Sequence, residues 1–505
     1  MVASTDIQTA GGVVRGRRGR RVLRWRSVPY AAAPVGDLRF RAPQPVVPWA
    51  GVRECTEFGF AAMQHRTGAR IGPRRYQPTN EDALTLNVTV PVTPSATPRP
   101  VLVFIHGGGY LIGTSALGLY SGARLALRGD VVMVSLNYRL GAFGYVDFSE
   151  FSTPEHTFES NLGLRDQVAA LRWVRANIAA FGGDPDNVTI FGESAGAHAV
   201  LSLLATPAAK GLFHQAISQS PPADWAMTAE DAQAFARRCV TELGATPETA
   251  ARTLRTASAN DIRRAVDRSS NRVLREHRGL FPVAPVVDGD FLPQAPIDAI
   301  VDGNAHRVPL IIGTNRDEGT LFAKFADSLP TTAERLRAAV GSAAAESRIA
   351  AAYPGYPAAR AAVRAGGDFV FWRPSVRVMA GHSKYAPTYA YRYDFAPRAL
   401  QLLGLGASHA TDLVPVFGGG EASFGIAFTA AGGRRGLQAV TRQFQDNWLA
   451  LARTGAPLPS WPPYTESRRT TLIIDYPTRV EHDPDQAKRL AWQDIRIPTL
   501  RARAT

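Results

Sequence analysis

Four short, mainly apolar runs divide the first two thirds of the chain, Val101–Ile105, the segment 130–137, the segment 187–191 and the segment 308–313, and a fifth segment, 215–220, reads as a strand ended by Pro221-Pro222. All are too short for helices and predict strands, and the continuous apolar run Val101–Ile105 predicts one covered on both faces. Between them the period changes. Leu164, Val168, Leu171, Val174 and Ile178 recur at helical spacing, with Asn161 placed to cap the start and Gly182-Gly183 to end it. Segment 195–206 is small and apolar enough for a buried helix. Segments 229–268, 332–385 and 434–454 read as helical, the first as a polar-faced cap or side layer. Residues 13–30 alternate as paired strands, and 388–395 and 471–475 add strands late in the chain. Strands that alternate with helices in this way make βαβ units, so the expectation is an α/β fold on a large, mixed, mostly parallel sheet.

At 505 residues the length alone suggests about three domains. No Gly-, Ser- or Pro-rich run is long enough for a linker. The richest, 91–100, reads as a surface loop between two strands, as does the proline-rich stretch 34–49, so one domain over 1–505 is expected. Composition is ordinary for a globular protein, at 45% hydrophobic and 20% charged. The net charge is +14, carried almost wholly by arginine. Its densest run, Arg15 to Arg26, lies in the early hairpin with Gly16 and Gly19 near the turn. It is expected to be a solvated face, with neither nucleic acid nor membrane as partner. Cys55 and Cys239 cannot form a disulfide framework for such a chain, residues 1–9 lack the apolar core of a signal peptide, and no apolar run reaches membrane-spanning length. A cytoplasmic location is the expectation.

The chemistry is concentrated at Gly192-Glu193-Ser194-Ala195-Gly196, a G-x-S-x-G between a predicted strand and a predicted helix. A serine on so sharp a turn needs neighbours without side chains at two residues before and after, and the turn presents its hydroxyl above the sheet. Ser194 is therefore the candidate nucleophile, with the Ala195 N–H aimed at the same point. Upstream, His106-Gly107-Gly108-Gly109 follows a central strand. Bare backbone there suits N–H groups that must approach a developing oxyanion closely. His106 itself is expected to pack the loop.

A hydroxyl nucleophile needs an imidazole to take its proton and a carboxylate to fix the imidazole's tautomer, in the chain order Ser, acid, His. Of the later histidines only His409 sits in a glycine-containing loop after a core strand; His198 and His382 fall in helices and read as structural. Asp317 and Glu318 both follow the strand ending near Gly313, and the pattern alone does not separate them. No metal-ligand spacing and no dinucleotide or phosphate loop occurs, so neither metal nor cofactor is expected.

With these pieces placed, the chain resembles the type B carboxylesterases, the cholinesterase-like branch of the α/β-hydrolases. The likeness runs nearly end to end: Pro29-Tyr30-Ala31 with Leu38-Arg39-Phe40, Glu81-Asp82-x-Leu84-x-Leu86-Asn87-Val88, His106 to Gly109, Asn137-Tyr138-Arg139, Gly163-Leu164-x-Asp166-Gln167, all of 181–196, Gly313-Thr314-Asn315-x-Asp317-Glu318-Gly319, and the His409 loop to Gly418. The resemblance implies an α/β-hydrolase fold with helical cap insertions, a Ser194, Glu318 and His409 triad, and oxyanion donors at Gly108, Gly109 and Ala195. It further implies structural ion pairs Arg39 with Glu81 and Arg139 with Asp166, and a site electrostatically influenced by Glu193. The implied activity is hydrolysis of small-molecule carboxylic esters through an acyl-enzyme, by a monomer or homodimer. Amide or carbamate hydrolysis, or a non-catalytic interaction role on the same scaffold, are the alternatives. Departures are instructive. Met63 and Ala83 stand where the family's first disulfide would be, and 68–79 holds Tyr76 but no tryptophan, which speaks against choline esters. Asp412 replaces a more usual glutamate, Pro221 a common glycine, and His198 a position that is often small or apolar.

Overall fold

The computed structural model describes residues 4–72, 74–419 and 428–495. The contacts divide into two compact units. One comprises residues 1–216, 226–271 and 282–294, the other 217–225, 272–281 and 295–505.

In the first unit the strand Arg99–Ile105 lies between Gly183–Glu193 and Val132–Leu136, parallel to both, with Val103 opposite Ile190 on one side and Val134 on the other. Both faces are covered, and Val101 to Ile105 are each 0% exposed, which is why the segment reads as a continuous apolar run. Thr85–Pro91, Val22–Pro29 and Arg17–Arg18 continue the sheet antiparallel. Of the arginine run, Arg17 and Arg18 sit on the outermost short strand, Arg20 and Arg21 in its turn, Arg24 and Arg26 on Val22–Pro29, and Arg15 on the strand Gly12–Arg15 of a separate three-stranded sheet. Arg15 pairs with Asp6 and Glu54, Arg17 and Arg26 with Glu57, and Arg18, Arg20 and Arg21 are exposed, so most of the run is solvated as expected, whereas Arg24 and Arg26 are half-buried.

The helix Leu162–Asn177 forms where the apolar period places it, and Gly182 closes the following 3₁₀ turn at φ 80°. Asn161 departs from expectation. It occupies the position before the helix, but its side chain makes no capping bond. Its amide is consumed by a neighbouring segment: Nδ2 donates to the Val286 carbonyl and to Asp288 Oδ2, while Oδ1 accepts from the Val286 N–H at 2.8 Å. Both expected ion pairs form. Arg139 grips Asp166 through two N–H donors at 2.6 and 2.8 Å, and Arg39 grips Glu81 in the same bidentate way. Arg39 Nη1 also donates to the carbonyls of Leu254, Arg255 and Ala257, satisfying the C-terminal end of the helix Pro247–Thr256.

In the second unit Leu310–Asn315, Thr388–Tyr393 and Thr470–Ile474 run parallel, and Arg479–His482 turns back antiparallel. The first strand begins and ends two residues later than the apolar run suggests, because Thr314 and Asn315 keep register with Arg392 and Tyr393. The segment 332–385 is mostly helical, as expected, with a non-helical break at 353–358 and a π-helical turn over Asp368–Trp372. The last long helix, Arg434–Thr454, runs between two left-handed glycines, Gly433 and Gly455.

Candidate active site

Ser194 closes the strand Gly183–Glu193 and immediately precedes the helix Ala195–Leu204. Its backbone lies at φ 58° and ψ −125°, a strained conformation for a residue with a Cβ that costs on the order of 1–3 kcal/mol. Close packing makes the turn possible. A Cβ on Gly196 would lie 2.1 Å from the Ile105 carbonyl oxygen, so only glycine lets the helix start this near the central strand. The His198 N–H donates to the Ser194 carbonyl at 2.9 Å, which begins the helical ladder at the serine itself.

The glycine loop leaves the next strand and lies against this elbow. A Cβ on Gly107 would fall 2.5 Å from the Glu193 carbonyl and 3.1 Å from Ser194 Cβ. Gly108, Gly109 and Tyr110 then take positive φ in succession, 116°, 64° and 56°. Among the described residues, no protein group accepts from the N–H of Gly108 or Gly109. Two donors on reversed backbone, together with Ala195 at a helix N-terminus, have the character of an anion-receiving notch. Glu193 is buried beside the serine.

His106 packs the loop, as its position predicts. It is buried and stacked on Tyr138 at 4.6 Å, its Nδ1 bonds to the Gly107 carbonyl, and burial pulls its pKa down to about 4. Tyr138 donates to the His106 carbonyl at 2.7 Å. His198 is fully buried in the elbow helix, where desolvation lowers its pKa to about 3. His382 ends the helix Arg373–His382, bonded to the Thr388 hydroxyl at 2.7 Å, with a pKa lowered to about 4 for the same reason.

In the second unit the acid and the remaining imidazole are joined. His409 Nδ1 donates to Glu318 Oε2 at 2.6 Å, both side chains being buried. Glu318 Oε1 accepts the Asn315 N–H at 2.7 Å, so one carboxylate is oriented by backbone on one side and imidazole on the other. This resolves the adjacent pair. Asp317 points elsewhere, to Arg316, Arg364 and the Ala407 N–H. Two aromatic rings that the sequence pattern did not single out flank the imidazole, Phe371 at 4.4 Å and Phe322 at 5.1 Å. Phe371 is delivered by the π-helical turn. Asp412 is fully buried and accepts from Gln219 Nε2, the Tyr391 hydroxyl and Asn315 Nδ2. Desolvation raises its carboxyl above the usual range, and the nearby Glu318 charge adds to the effect.

The structure thus sets the glycine loop against the Ser194 elbow through Gly107 in the first unit, and joins Glu318 to His409 in the second. A buried imidazole whose Nδ1 is held by a carboxylate can exchange a proton at Nε2, and a strained, half-buried serine at a helix N-terminus carries a hydroxyl suited to attack.

Comparison with known proteins agrees in kind. A sequence model described as the carboxylesterase family matches residues 3–492. The para-nitrobenzyl esterase of Bacillus subtilis (strain 168) is 39% identical over 492 residues, covering 96% of this chain and 97% of that protein. The phenmedipham hydrolase of Pseudarthrobacter oxydans is 35% identical, with 89% and 91% covered. A solved structure of a PNB esterase superposes with a TM-score of 0.85 at 37% identity, covering 97% of this chain and 99% of that one.

Proposed function

Because the chain belongs to the carboxylesterase family and has its α/β-hydrolase fold, we propose that this carboxylic ester hydrolase works through a triad of Ser194, His409 and Glu318. Ser194 Oγ attacks the ester carbonyl while His409 Nε2 takes the hydroxyl proton. The N–H groups of Gly108, Gly109 and Ala195 receive the oxyanion of the tetrahedral intermediate. Collapse of the intermediate expels the alcohol, which leaves with the proton from His409, and the acyl group stays on Ser194. Water, deprotonated by the same imidazole, then releases the acid and restores the serine. Glu318 holds the tautomer that keeps Nε2 open to the proton and stabilises the imidazolium as it forms.

The observation that carries this reading is the 2.6 Å bond between His409 and Glu318, with the other carboxylate oxygen fixed by the Asn315 N–H. One catalytic domain over 1–505 is the organisation proposed. Aryl esters, including para-nitrobenzyl esters after the most similar relative reported above, are the first substrates to assay. The chemistry uses only side chains and backbone. Among the described residues no helix is long and apolar enough to cross a membrane. Both cysteines are buried as free thiols, pushed up to about 11 and about 12 by burial, which supports a protein suited to the reducing cytoplasm. A monomer or homodimer is the assembly proposed.

A fluorophosphonate probe tests the assignment. It should label one serine, Ser194, and S194A should abolish both labelling and turnover while leaving the fold intact. Undiminished turnover by S194A would remove Ser194 from the role.

A further inference from the structure

The oxyanion loop ends on a residue whose conformation needs support. Tyr110 is the third successive residue at positive φ, and for a large aromatic side chain a φ of 56° is a true outlier. Such strain persists only where the surroundings over-determine it. Three contacts of Tyr110 do so. Its carbonyl accepts from the Gly141 N–H at 2.7 Å, and its ring packs on Tyr145 at 4.2 Å. Its hydroxyl bonds to His198 Nδ1 at 2.8 Å and also meets the Ser202 hydroxyl. The last of these reaches the helix that begins at the nucleophile. His198 lies one turn beyond Ser194 and Ser202 one turn beyond His198, so the three share one face of that helix. The His198 N–H also donates to the Ser194 carbonyl, placing the histidine in direct contact with the elbow at one end and with the oxyanion loop at the other.

We propose that His198 and Tyr110 are positioning residues: their hydrogen bond ties the oxyanion loop to the nucleophile helix and thereby fixes the aim of the Gly108 and Gly109 N–H groups relative to Ser194. The proposal rests on the triad and oxyanion reading given above. The role suits the chemistry of both side chains. A fully buried histidine has little reason to occupy a helix of Ala, Val and Leu unless its ring is used. Here the ring reaches the residue next to the second oxyanion donor. Because N–H donors act on the oxyanion only at close range and in the right direction, a displacement of a few tenths of an ångström lowers the rate of the chemical step and leaves ground-state binding alone.

The test compares Y110F, which removes one oxygen and keeps the ring packing, with H198L, H198N and the double variant Y110F/H198L. For each, kcat and KM for a p-nitrophenyl ester are measured beside the inhibition constant of an aryl trifluoromethyl ketone, whose serine adduct carries an oxyanion. Y110F and H198L should each lower kcat by about tenfold and weaken the ketone in proportion, with KM little changed. The double variant should be no worse than either single one. H198N, whose amide can occupy the place of Nδ1, should recover most of the rate. The proposal is overturned if Y110F keeps the wild-type kcat and ketone affinity, if the two losses multiply in the double variant, or if H198N is no better than H198L. Y110F alone decides the matter should H198L fail to fold. S194A, assayed in parallel, distinguishes the two levels: turnover surviving in S194A would overturn the triad reading itself, and the positioning role with it.

Discussion

Replacing Glu318 by glutamine keeps the shape of the side chain and removes its charge, and the geometry around it dictates how the amide must sit. Oε1 accepts the Asn315 N–H at 2.7 Å and Oε2 accepts the His409 Nδ1–H at 2.6 Å. An amide has one oxygen for these two acceptor places. If that oxygen faced His409, the NH₂ group would confront the Asn315 N–H, leaving a buried donor unsatisfied at a cost of about 1–3 kcal/mol. The oxygen therefore faces Asn315, and the NH₂ faces the imidazole. His409 must then accept at Nδ1 and carry its proton on Nε2, the tautomer that cannot take a proton from Ser194. The corresponding carboxylate-to-amide change in a serine protease triad costs about 10⁴ in kcat, and the same order is expected for E318Q, equivalent to about 5.5 kcal/mol of transition-state stabilisation. The assay is steady-state hydrolysis of a p-nitrophenyl ester, with circular dichroism to confirm the fold. D317N is the control. Asp317 meets Arg316, Arg364 and the Ala407 N–H and does not meet the imidazole, so D317N should retain kcat within a few fold. An E318Q enzyme within tenfold of wild type, or a larger loss in D317N, would refute the reasoning.

Three further outcomes follow from packing and titration. G196A puts a Cβ 2.1 Å from a central-strand carbonyl and should cost about 3 kcal/mol or more; G118A, with nothing within 4 Å and no positive φ, should unfold in urea close to wild type. D166N leaves the buried Arg139 guanidinium, 4% exposed, without its counter-charge and should lose about 3–5 kcal/mol in urea unfolding, whereas D6N on the exposed Arg15 pair should be indistinguishable from wild type. His382 has a folded pKa lowered to about 4. The unfolded chain therefore binds the extra proton first, and stability is lost as pH falls from about 6.5 towards about 4. H382N should remove about 2 kcal/mol of the loss seen between pH 7.5 and pH 5 in paired thermal melts, and an unchanged pH dependence would contradict the burial argument.

What could be read in advance depended on whether the deciding interaction was local. The strand Arg99–Ile105 announces itself because both faces are buried and every position must be apolar. The helix Arg434–Thr454 has legible ends because left-handed glycines bound it on both sides. The elbow and the glycine loop were legible for a steric reason: close backbone approach admits no other residue, so it is written as glycine. Choices between distant partners were not legible. Asp317 and Glu318 are chemically alike and adjacent, and what separates them is that arginines 316 and 364 occupy one while His409, 91 residues on, occupies the other. Asn161 fits a cap by spacing, but its amide is used by Val286 and Asp288, more than a hundred residues away. The π-helical turn that delivers Phe371 to His409 is a slip in hydrogen-bond register with no compositional signature. His198 stood out as an odd residue in an apolar helix, but its partner Tyr110 became visible only in three dimensions.

The covalent intermediate tests the central claim most directly. Mixing the enzyme with excess p-nitrophenyl acetate and quenching in acid within milliseconds should show a burst of nitrophenol and an acetyl group of one equivalent, which proteolysis and mass spectrometry should locate on the peptide that contains Ser194. The acyl group should be absent from S194A and should form far more slowly in E318Q. An acyl group found on any other residue, or full turnover with no acyl group on Ser194, would contradict the account.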